Sequence, residues 1–441
     1  MKIVLVRPKY NTHVITPPLG LGYLSSYLKQ GHIQVKIIDA LKDNLHTHTL
    51  LKKILAEKPD AVGITCLTAF YPQVVKLSQS LKKRRLKCII GGIHPTFLPY
   101  QTLKQSQADF VICGQAEVAL LKLVKANFVN QNIPGVYSLK NLRKNTPVIK
   151  AKPIKNLDDL PFPDWEQLDP NTYSTAPHGA FVKNFPIGSI MTTRGCPYMC
   201  SFCASKNFYD RTIRYRSTKN IIQEIKHLIN NYGVKEIHFE DDNLTLRRDH
   251  IEKLCQAIIK NKLKISWTCP NGIRADRVDE KLLRLMKKSG CYLIAFGIES
   301  ANPHILKNIH KLETLADIKK AIQLTNKVGI LSQGFFIFGL PGETKQTMEN
   351  SIRFAKQTQL ARAFFGVLQI LPGTELWDKY KNPNWTPNGL SRKVLLQTQS
   401  KALRQFYLRP LTLLKIAQHI KPQQIKLLFK RAKDYQLLPF F

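Results

Sequence analysis

The segment Met191-Thr192-Thr193-Arg194-Gly195-Cys196-Pro197-Tyr198-Met199-Cys200-Ser201-Phe202-Cys203 follows an apolar, strand-like run and brings three cysteines onto one short loop. A 4Fe-4S cluster takes one thiolate per iron, so three cysteine ligands leave the fourth iron open to a small molecule. A structural zinc site needs a fourth ligand, usually from a second Cys-x-x-Cys or Cys/His pair, and none follows at that spacing. The loop therefore favours an open cluster, with zinc as the main alternative and three unrelated core cysteines as the weakest one.

The cysteine spacing, with the aromatic Phe202 just before the last cysteine, resembles the motif of the radical S-adenosylmethionine (radical SAM) superfamily. In that family the open iron chelates the amino and carboxylate groups of S-adenosylmethionine (SAM). One electron from the cluster then splits SAM into methionine and a 5'-deoxyadenosyl radical. The resemblance implies that Cys196, Cys200 and Cys203 are the metal ligands, and that the protein needs an external electron donor such as flavodoxin or ferredoxin.

Length and composition indicate a globular protein. The chain has 441 residues, 44% of them hydrophobic, which is enough for two or three domains. No apolar run approaches the roughly 18 residues that span a bilayer. Six of the nine cysteines are scattered singly through apolar segments, so we expect a reducing, cytoplasmic compartment. The formal charge of +37 favours anionic partners such as nucleic acid, acidic lipid or a phosphorylated substrate, or reflects lysines spread over a solvated surface.

Residues 1–130 alternate short apolar runs with helix-like stretches, which predicts a parallel sheet with helices on both faces. Five such runs would form a flavodoxin-like sheet, in which ligands lie beyond the carboxyl ends of the strands. The segments after these ends contain glycines and small hydroxyl residues, which let a flat ligand approach the backbone closely. The runs are Ile3–Arg7, Val35–Asp39, Ala61–Cys66, Cys88–Ile90 and Phe110–Cys113.

This arrangement resembles the cobalamin (B12)-binding domain that precedes the radical core in one large subgroup of radical SAM enzymes. The Asp-x-His-x-x-Gly motif of other cobalamin proteins is absent, so we do not expect the nearby His13 to hold the cobalt. His94 and Glu117 each have an alternative, structural interpretation. His94 would be a histidine that ends a turn, and Glu117 a carboxylate in the first turn of a helix, where it favours the helix dipole. The residues that the resemblance assigns to cobalamin are Thr65, Thr68, Gly91, Gly92, His94, Gly114 and Glu117.

Residues 131–185 are rich in proline and poor in periodic runs, which predicts a linker. Strand–helix alternation resumes over residues 186–380, where six strands predict the partial (β/α)6 TIM barrel of a radical SAM core. The expected fold class is therefore α/β, with a flavodoxin-like (Rossmann-type) domain, a linker, a barrel and a basic helical extension. The predicted barrel strands are Ser189–Thr193, Glu236–Glu240, Lys264–Thr268, Tyr292–Gly297, Ile330–Phe338 and Ala363–Leu368.

Polar residues follow the second and third barrel strands. Glu240, Asp241 and Asp242 would accept hydrogen bonds from the ammonium group of a sulfonium ligand, although a helix-capping turn explains any one of them. This segment resembles the one that the family places on the methionine amino group. Arg274 suits the methionine carboxylate, and it is equally suited to an ion pair with Asp276.

The fourth and fifth barrel strands end in turns that are typical of the superfamily. The resemblance places Glu299 and Ser300 beside the ribose and methionine parts of SAM. It places Ile337 and Gly339 against the adenine, since apolar residues would pack on its face and glycine permits the tight turn that follows. Glu343, in the same turn, is expected to be a helix cap and not a ligand contact.

The C-terminal segment, residues 381–441, carries twelve lysines and arginines against Asp434 as its one acidic residue. Apolar residues at helical spacing within it predict a basic amphipathic helix. Such a helix either packs on its own domain, which we expect, or lies on an anionic membrane surface. The apolar residues of the stripe are Ile425, Leu428, Phe429 and Ala432.

The leading hypothesis from the resemblance is a cobalamin-dependent radical SAM methyltransferase acting on an unactivated carbon of a lipid-like, tetrapyrrole or other small molecule. Relatives with the same layout catalyse cyclisation or ring contraction instead. A second hypothesis is a radical SAM enzyme that modifies RNA, in which Cys66, Cys88 and Cys113 would have to hold an extra cluster. A third is a zinc-stabilised binding protein without catalysis.

Overall fold

The computed structural model describes the chain apart from residues 131, 179, 180, 411, 414–417, 419 and 435–441, and apart from the side chains of residues 431–433. The chain forms two compact units, Met1–Tyr173 and Ser174–Phe441. The stretch predicted as a linker is shared between them. Its residues up to Tyr173 belong to the first unit and its remaining residues belong to the second.

The first unit is built on a six-stranded sheet with strands β1 (Lys2–Arg7), β2 (Gln34–Asp39), β3 (Ala61–Thr65), β4 (Lys87–Gly91), β5 (Phe110–Ile112) and β6 (Val136–Tyr137). The strand order is β2-β1-β3-β4-β5-β6, and only the β5–β6 pair is antiparallel. This order confirms the flavodoxin-like fold, while β6 was not predicted because it lies in the proline-rich stretch. The helices are α1 (Leu19–Gln30), α2 (Thr47–Ala56), α3 (Tyr71–Lys82), α4 (Ile93–Phe97), α5 (Pro99–Ser106) and α6 (Glu117–Lys125).

Helices cover both faces of this sheet. In β1, Val4 and Ile3 point to opposite faces, and both are fully buried, as expected for a parallel strand between two helical layers. The proline-rich stretch adds a polar anchor. The buried Asp164 carboxylate accepts hydrogen bonds from Ser25 Oγ at 2.5 Å and Gln167 Nε2 at 2.7 Å, and thereby fixes this stretch to α1.

The second unit contains strands β7 (Ile187–Ile190), β8 (Thr193–Arg194), β9 (Arg214–Tyr215), β10 (Glu236–Phe239), β11 (Ser266–Ile273), β12 (Cys291–Glu299), β13 (Leu331–Phe338) and β14 (Arg362–Val367). Six of them form one parallel sheet in the order β7-β10-β11-β12-β13-β14, which confirms the partial barrel. The strand β11 runs five residues past the predicted end at Thr268. It does so through a register shift between Cys269 and Ile273 that accommodates Pro270.

Helices alternate with the strands of this sheet and continue beyond it. The last strand, β14, is covered by the helix α15, whose Gln399 side chain donates a hydrogen bond to the Phe365 carbonyl oxygen at 2.6 Å. This contact satisfies a backbone group at an otherwise open sheet edge. The helices are α7 (Ser205–Phe208), α8 (Thr218–Tyr232), α9 (Arg248–Lys260), α10 (Glu280–Lys288), α11 (Pro303–Asn308), α12 (Leu315–Lys327), α13 (Lys345–Gln357), α14 (Glu375–Tyr380), α15 (Arg392–Tyr407) and α16 (Pro422–Asp434).

The basic helix α16 does not bury its apolar stripe as expected. It is held by its first turn, where the Gln424 side chain is fully buried and donates to the Thr175 carbonyl oxygen at 3.0 Å. Ile425 and Phe429 are 55% and 52% exposed, so the prediction that the stripe packs on its own domain was wrong for these two residues. The side chain of Ala432 lies outside the described residues. None of the helices in the described part of the chain is long and apolar enough to span a bilayer.

Candidate functional site

The three cysteines lie on the loop that follows β7. The short strand β8 pairs with β9 and fixes the start of this loop. Gly195 has a φ of +106°, and a Cβ there would lie 2.1 Å from the Thr212 carbonyl oxygen, so the turn requires glycine. Cys196, Cys200 and Cys203 are half-buried free thiols. Burial, together with the neighbouring Cys200 and Cys196 sulfurs, raises the pKa of Cys203 to about 12, so the three thiols share one region.

The three cysteines are not part of a tight ligand group of the kind that holds a single metal ion. Among the described residues, one group of three histidine, cysteine or acidic side chains has its ligand atoms within 4.8 Å of one another, and it contains none of these cysteines. In a tetrahedral zinc site with bonds of about 2.3 Å, the sulfurs would be only about 3.8 Å apart. Thiolates at different corners of an iron–sulfur cluster are farther apart, so a cluster does not require such a tight group.

The acid in the middle of the predicted trio has a structural role. Asp241 is almost fully buried, and its carboxylate accepts hydrogen bonds from Thr192 Oγ1 at 2.7 Å and Thr193 Oγ1 at 2.5 Å. Burial raises the pKa of Asp241 to about 6 despite these hydrogen bonds. The carboxylate therefore holds the cysteine loop against the end of β10, and its oxygens are already engaged.

The two flanking acids have different surroundings. The Glu240 carboxylate lies 3.2 Å from His178 Nε2 and 3.3 Å from Ser189 Oγ. The Asp242 carboxylate accepts a hydrogen bond from Ser205 Oγ at 2.6 Å, and its negative charge raises the pKa values of Cys196 and Cys203. Of the three predicted acids, Asp242 is the one whose charge raises the pKa values of cysteines in the loop.

Asn243, which sequence reasoning did not single out, follows directly. Its side chain is 3% exposed, and neither its amide nitrogen nor its amide oxygen has a hydrogen-bond partner among the described residues. The buried Thr245 hydroxyl also has no hydrogen-bond partner among the described residues. Since buried polar groups in proteins are nearly always paired, these atoms mark a place where a polar ligand would be held.

Arg274 is already engaged with protein groups. Its guanidinium forms two hydrogen bonds of 2.9 Å with the Asp276 carboxylate and also donates to the Lys311 and Leu312 carbonyl oxygens. It stacks on the Tyr198 ring, 3.9 Å from the centroid, within the cysteine loop. The structure therefore places Arg274 in the ion pair that was one of its two predicted roles.

Glu299 belongs to a buried ionic group that the sequence did not reveal. Lys311 Nζ lies 3.3 Å from Glu299 Oε1 and 3.1 Å from Glu313 Oε2, and all three residues are more than 90% buried. Burial raises the pKa of Cys200, and the positive charge of Lys311 opposes that rise. Glu299 has a φ of +64°, a rare left-handed conformation for a residue other than glycine. Such strain is common at functional sites.

The turn after β13 differs from its predicted form. The helix α13 is capped by Thr344, whose hydroxyl accepts from the Thr347 N–H, so the prediction that Glu343 caps it was wrong. The Glu343 carboxylate instead accepts from the N–H groups of Gly339 and Leu340 and closes the turn. Because Glu343 reaches back to the glycine, its carboxylate shapes the predicted adenine side of the site. Ser300 is fully buried, and its hydroxyl accepts from the Asn302 N–H.

In the first unit, the residues assigned to cobalamin lie at the carboxyl ends of β3, β4 and β5, which are adjacent strands. Thr65 and Gly91 pair across β3 and β4. A Cβ on Gly91 would meet no described atom within 4 Å, so the chain leaves open space there. Gly92 has a φ of +114°, and a Cβ there would lie 2.6 Å from the Cys66 carbonyl oxygen. Gly114 also has a positive φ, of +89°.

His94 lies under these strand ends. It is 3% exposed, its Nδ1 is 3.1 Å from Thr68 Oγ1, and its ring stacks on Tyr71. Burial lowers the pKa of His94 to about 4, so the imidazole is neutral at pH 7. Glu117 is the first residue of α6, where a carboxylate favours the helix dipole. Glu117 therefore has the local role that was its alternative interpretation, whereas His94 lies inside the helix α4 and not at the end of a turn, and its buried Nε2 has no hydrogen-bond partner among the described residues.

The extra cluster required by the RNA-modification hypothesis has no support in the first unit. Cys66, Cys88 and Cys113 are fully buried in its core. Burial raises the pKa of Cys88 and of Cys113 to about 12, and it raises the pKa of Cys66 as well. Neutral thiols inside an apolar core are poor metal ligands.

Comparisons with known proteins agree with this geometry. Residues 190–355 match the radical SAM superfamily and residues 9–124 match the B12 binding domain. The chain is 33% identical to the uncharacterized methyltransferase PH0819 of Pyrococcus horikoshii over 94% of each chain. It is 28% identical to the anaerobic magnesium-protoporphyrin IX monomethyl ester cyclase of Rubrivivax gelatinosus, over 92% of this chain and 78% of that one.

The fold is also similar to that of a solved enzyme. The radical SAM methyltransferase TsrM from Kitasatospora setae, with cobalamin and a 4Fe-4S cluster bound, superposes with a TM-score of 0.69 at 19% identity, covering 85% of this chain and 73% of that one. The near full-length match to the Pyrococcus relative, together with the two domain matches, establishes the family. The chain is a radical SAM enzyme and belongs to the radical SAM superfamily, in the group whose barrel is preceded by a B12-binding domain.

Proposed function

We propose that the protein is a cobalamin-dependent radical SAM methyltransferase that acts on an unactivated carbon of a small molecule. The observation that carries the proposal is the loop of Cys196, Cys200 and Cys203, which offers three sulfur ligands and leaves a fourth iron open to SAM. The relative that matches over almost its whole length is named a methyltransferase, which favours methyl transfer over the ring closure of the cyclase relative.

A 4Fe-4S cluster bound to the loop would supply the electron that cleaves SAM. The chain's own groups would bind and orient the SAM molecule. Asp242, next to the cysteines, is placed to accept hydrogen bonds from the ammonium group. The buried Asn243 amide, without a partner among the described residues, offers both a donor and an acceptor. Glu299 would lie beside the ribose and methionine parts of SAM, and Ile337 and Gly339 would lie against its adenine.

Cobalamin, when bound in the first unit, would supply the methyl group. Thr65, Gly91, Gly92 and Gly114 present backbone and small side chains at adjacent strand ends, which suits a large, flat ligand. His94 is buried and neutral, and its position beneath the strand ends fits support of this surface. We do not assign it as a cobalt ligand.

The test is anaerobic reconstitution of the full chain with iron, sulfide and cobalamin. We expect a brown protein with about four irons that releases 5'-deoxyadenosine from SAM when reduced by dithionite or by a flavodoxin or ferredoxin system. We also expect it to transfer an isotopically labelled methyl group from SAM to added cob(I)alamin. Release of 5'-deoxyadenosine without methyl transfer would instead support cyclisation. Absence of both reactions in protein that holds the cluster would contradict the proposal.

Substitutions at two neighbouring glycines test cobalamin binding and folding separately. The Cβ of Gly91→Leu would meet no described atom within 4 Å, so we expect an unchanged melting temperature and loss of cobalamin retention. Gly92→Ala forces a Cβ against the Cys66 carbonyl at a positive φ, so we expect a loss of about 1–3 kcal/mol in the free energy of unfolding. Measurements are gel-filtration retention of cobalamin and thermal unfolding. Unchanged cobalamin retention in Gly91→Leu would place the cofactor elsewhere.

We further propose that the protein makes peripheral contact with anionic membranes through α16. Ile425 and Leu427 are 55% and 42% exposed beside Lys426 and Lys430, in a chain of net charge +37. In vesicle flotation we expect binding to phosphatidylglycerol-containing vesicles that weakens several-fold in Ile425→Glu and with added salt. Leu396→Glu, at a position of α15 that is 45% exposed, is the control and should bind normally. Equal binding of all three proteins would exclude α16 as the contact.

A further inference from the structure

One face of β10 carries a row of ionisable side chains below the cysteine loop. Glu236, His238 and Glu240 are spaced two residues apart, so their side chains share a face of the strand. The opposite face carries Ile237 and Phe239, which are fully buried and apolar. A row of this kind inside a folded unit needs partners for each polar atom, because unpaired buried polar groups are costly.

Glu236, the first residue of this row, has a hydrogen-bond partner for each of its carboxylate oxygens. Glu236 accepts hydrogen bonds from Tyr292 Oη at 2.6 Å, Asn184 N at 2.6 Å and Ser266 Oγ at 2.8 Å. Its Oε1 also lies 2.9 Å from His238 Nε2. Each of the two Glu236 carboxylate oxygens thus has two polar neighbours within hydrogen-bond distance.

The orientation of His238 follows from this carboxylate. Because Glu236 accepts hydrogen bonds from all of its other neighbours, we assign the proton of the His238–Glu236 pair to His238 Nε2. His238 is 1% exposed, and its Nδ1 has no hydrogen-bond partner within the described part of the chain. A histidine that donates one ring nitrogen to a carboxylate and presents the other as a lone pair is the usual arrangement of a metal-ligating histidine.

Two further ligand groups converge on the same place. His178 Nε2 lies 3.2 Å from Glu240 Oε1, and the rings of His178 and His238 are 5.2 Å apart. Ligand atoms of His178, His238 and Glu240 all lie within 4.8 Å of one another. Around a zinc ion with bonds of about 2.0–2.1 Å, such atoms would be about 3.4 Å apart, so small side-chain movements would close the site.

We propose that His178, His238 and Glu240 form a binding site for a divalent transition-metal ion, with Glu236 as the positioning residue that orients His238. Two histidines and one carboxylate are a ligand set that holds zinc or ferrous iron and leaves coordination positions open. The site is separate from the three cysteines, because it uses none of their sulfurs. Glu240 follows the carboxyl end of β10, two residues before Asp242, and an open coordination position would take an oxygen or nitrogen ligand.

Zinc is the probe that separates this site from an iron–sulfur cluster. The reconstituted full-length protein is loaded with Zn²⁺, desalted, and analysed by elemental analysis and zinc-edge X-ray absorption. We expect about one zinc per chain with only nitrogen and oxygen neighbours at about 2.0–2.1 Å, whereas zinc on the cysteines would show sulfur at about 2.3 Å. Zinc loading is measured without SAM cleavage, so its result does not depend on the methyltransferase proposal.

Variants test the ligand assignment. His238→Phe and His178→Ala should lose the zinc, and Glu236→Gln should weaken binding by about 10- to 100-fold in competition with a chromophoric chelator. His227→Ala, on the outer helix α8, is the control and should bind as the unsubstituted protein does. If His238→Phe does not fold, His178→Ala serves, because its ring lies nearer the surface. The proposal is overturned by absence of zinc, by sulfur neighbours, or by unchanged binding in the ligand variants.

Discussion

Replacing Cys200 by alanine is expected to abolish both the iron–sulfur cluster and the cleavage of SAM. Cys200 is the middle cysteine of the loop, and its backbone carbonyl accepts the Cys203 N–H at 3.1 Å. The loop offers three thiols, so the variant leaves two, which cannot hold the cluster against loss of iron. Iron and sulfide content, electron paramagnetic resonance of the reduced protein and 5'-deoxyadenosine release should all fall to the level of cluster-free protein.

The matched control is another cysteine from the same unit. Cys255 on α9 is fully buried, and burial raises its pKa to about 12, as for a structural thiol. Cys255→Ala should keep the cluster and SAM cleavage while losing about 1 kcal/mol of stability from the small cavity. If Cys200→Ala still releases 5'-deoxyadenosine, or if Cys255→Ala loses the cluster, the ligand assignment is wrong.

The fold could be predicted from the sequence because its signals are local. Buried parallel strands appear as short apolar runs, and the alternation of runs with helical stretches specifies a parallel sheet. The predicted bounds fail where the chain breaks that pattern. The strand β11 continues past Thr268 because a register shift accommodates Pro270, and β6 is a two-residue strand with no pattern to detect.

The site was predicted less completely, because partners far apart in sequence define it. The cysteine spacing and the acids after β10 are visible as short motifs. Lys311 is one of 67 lysines and arginines, and nothing in its local sequence shows that it is buried between two glutamates. His178 comes from the proline-rich stretch, where no periodicity indicates which side chains turn inward.

Arg274 shows how local geometry decides between two predicted roles. Its carboxylate partner, Asp276, is two residues away, so little chain entropy is lost when the two form a bidentate pair. The Lys311 and Leu312 carbonyl oxygens then take the remaining donors. A guanidinium satisfied in this way orders the Tyr198 ring of the cysteine loop and is not available as the main carboxylate ligand.

Lys311→Met is expected to have the largest effect on stability. The substitution keeps the side-chain length but removes the cation that bridges the buried carboxylates of Glu299 and Glu313, so that Arg274, with Nη1 3.7 Å from Glu313 Oε2, is left beside Glu313 alone. Breaking a buried ion pair by removing one partner typically costs about 3–5 kcal/mol, because the remaining charge is left in a low-dielectric interior. The exposed pair of Lys327 with Glu280 is the control, and Lys327→Met should cost about 0–1 kcal/mol. Denaturant unfolding of both variants gives these values.

The loss in the free energy of unfolding caused by Lys311→Met should also grow as the pH rises. Burial raises the pKa of Glu299 above its usual value even with the lysine present, and the lysine opposes that rise. Without it, the folded state favours the protonated carboxyl more strongly than the unfolded state does. Such a group contributes stability at low pH that is lost as the pH rises above the unfolded pKa of about 4.3. The variant should therefore be closer to the unsubstituted protein at pH 5 than at pH 8.

Cluster assembly gives a second readout of the same variant, independent of unfolding. The charge of Lys311 lowers the pKa values of Cys196 and Cys200, in opposition to burial, and so favours the thiolates that bind iron. Lys311→Met should take up iron more slowly and hold less of it, whereas Lys311→Arg, which keeps the charge, should restore much of the loss. Normal iron uptake in folded Lys311→Met would show that the ionic group only supports the barrel and does not assist the cysteine loop.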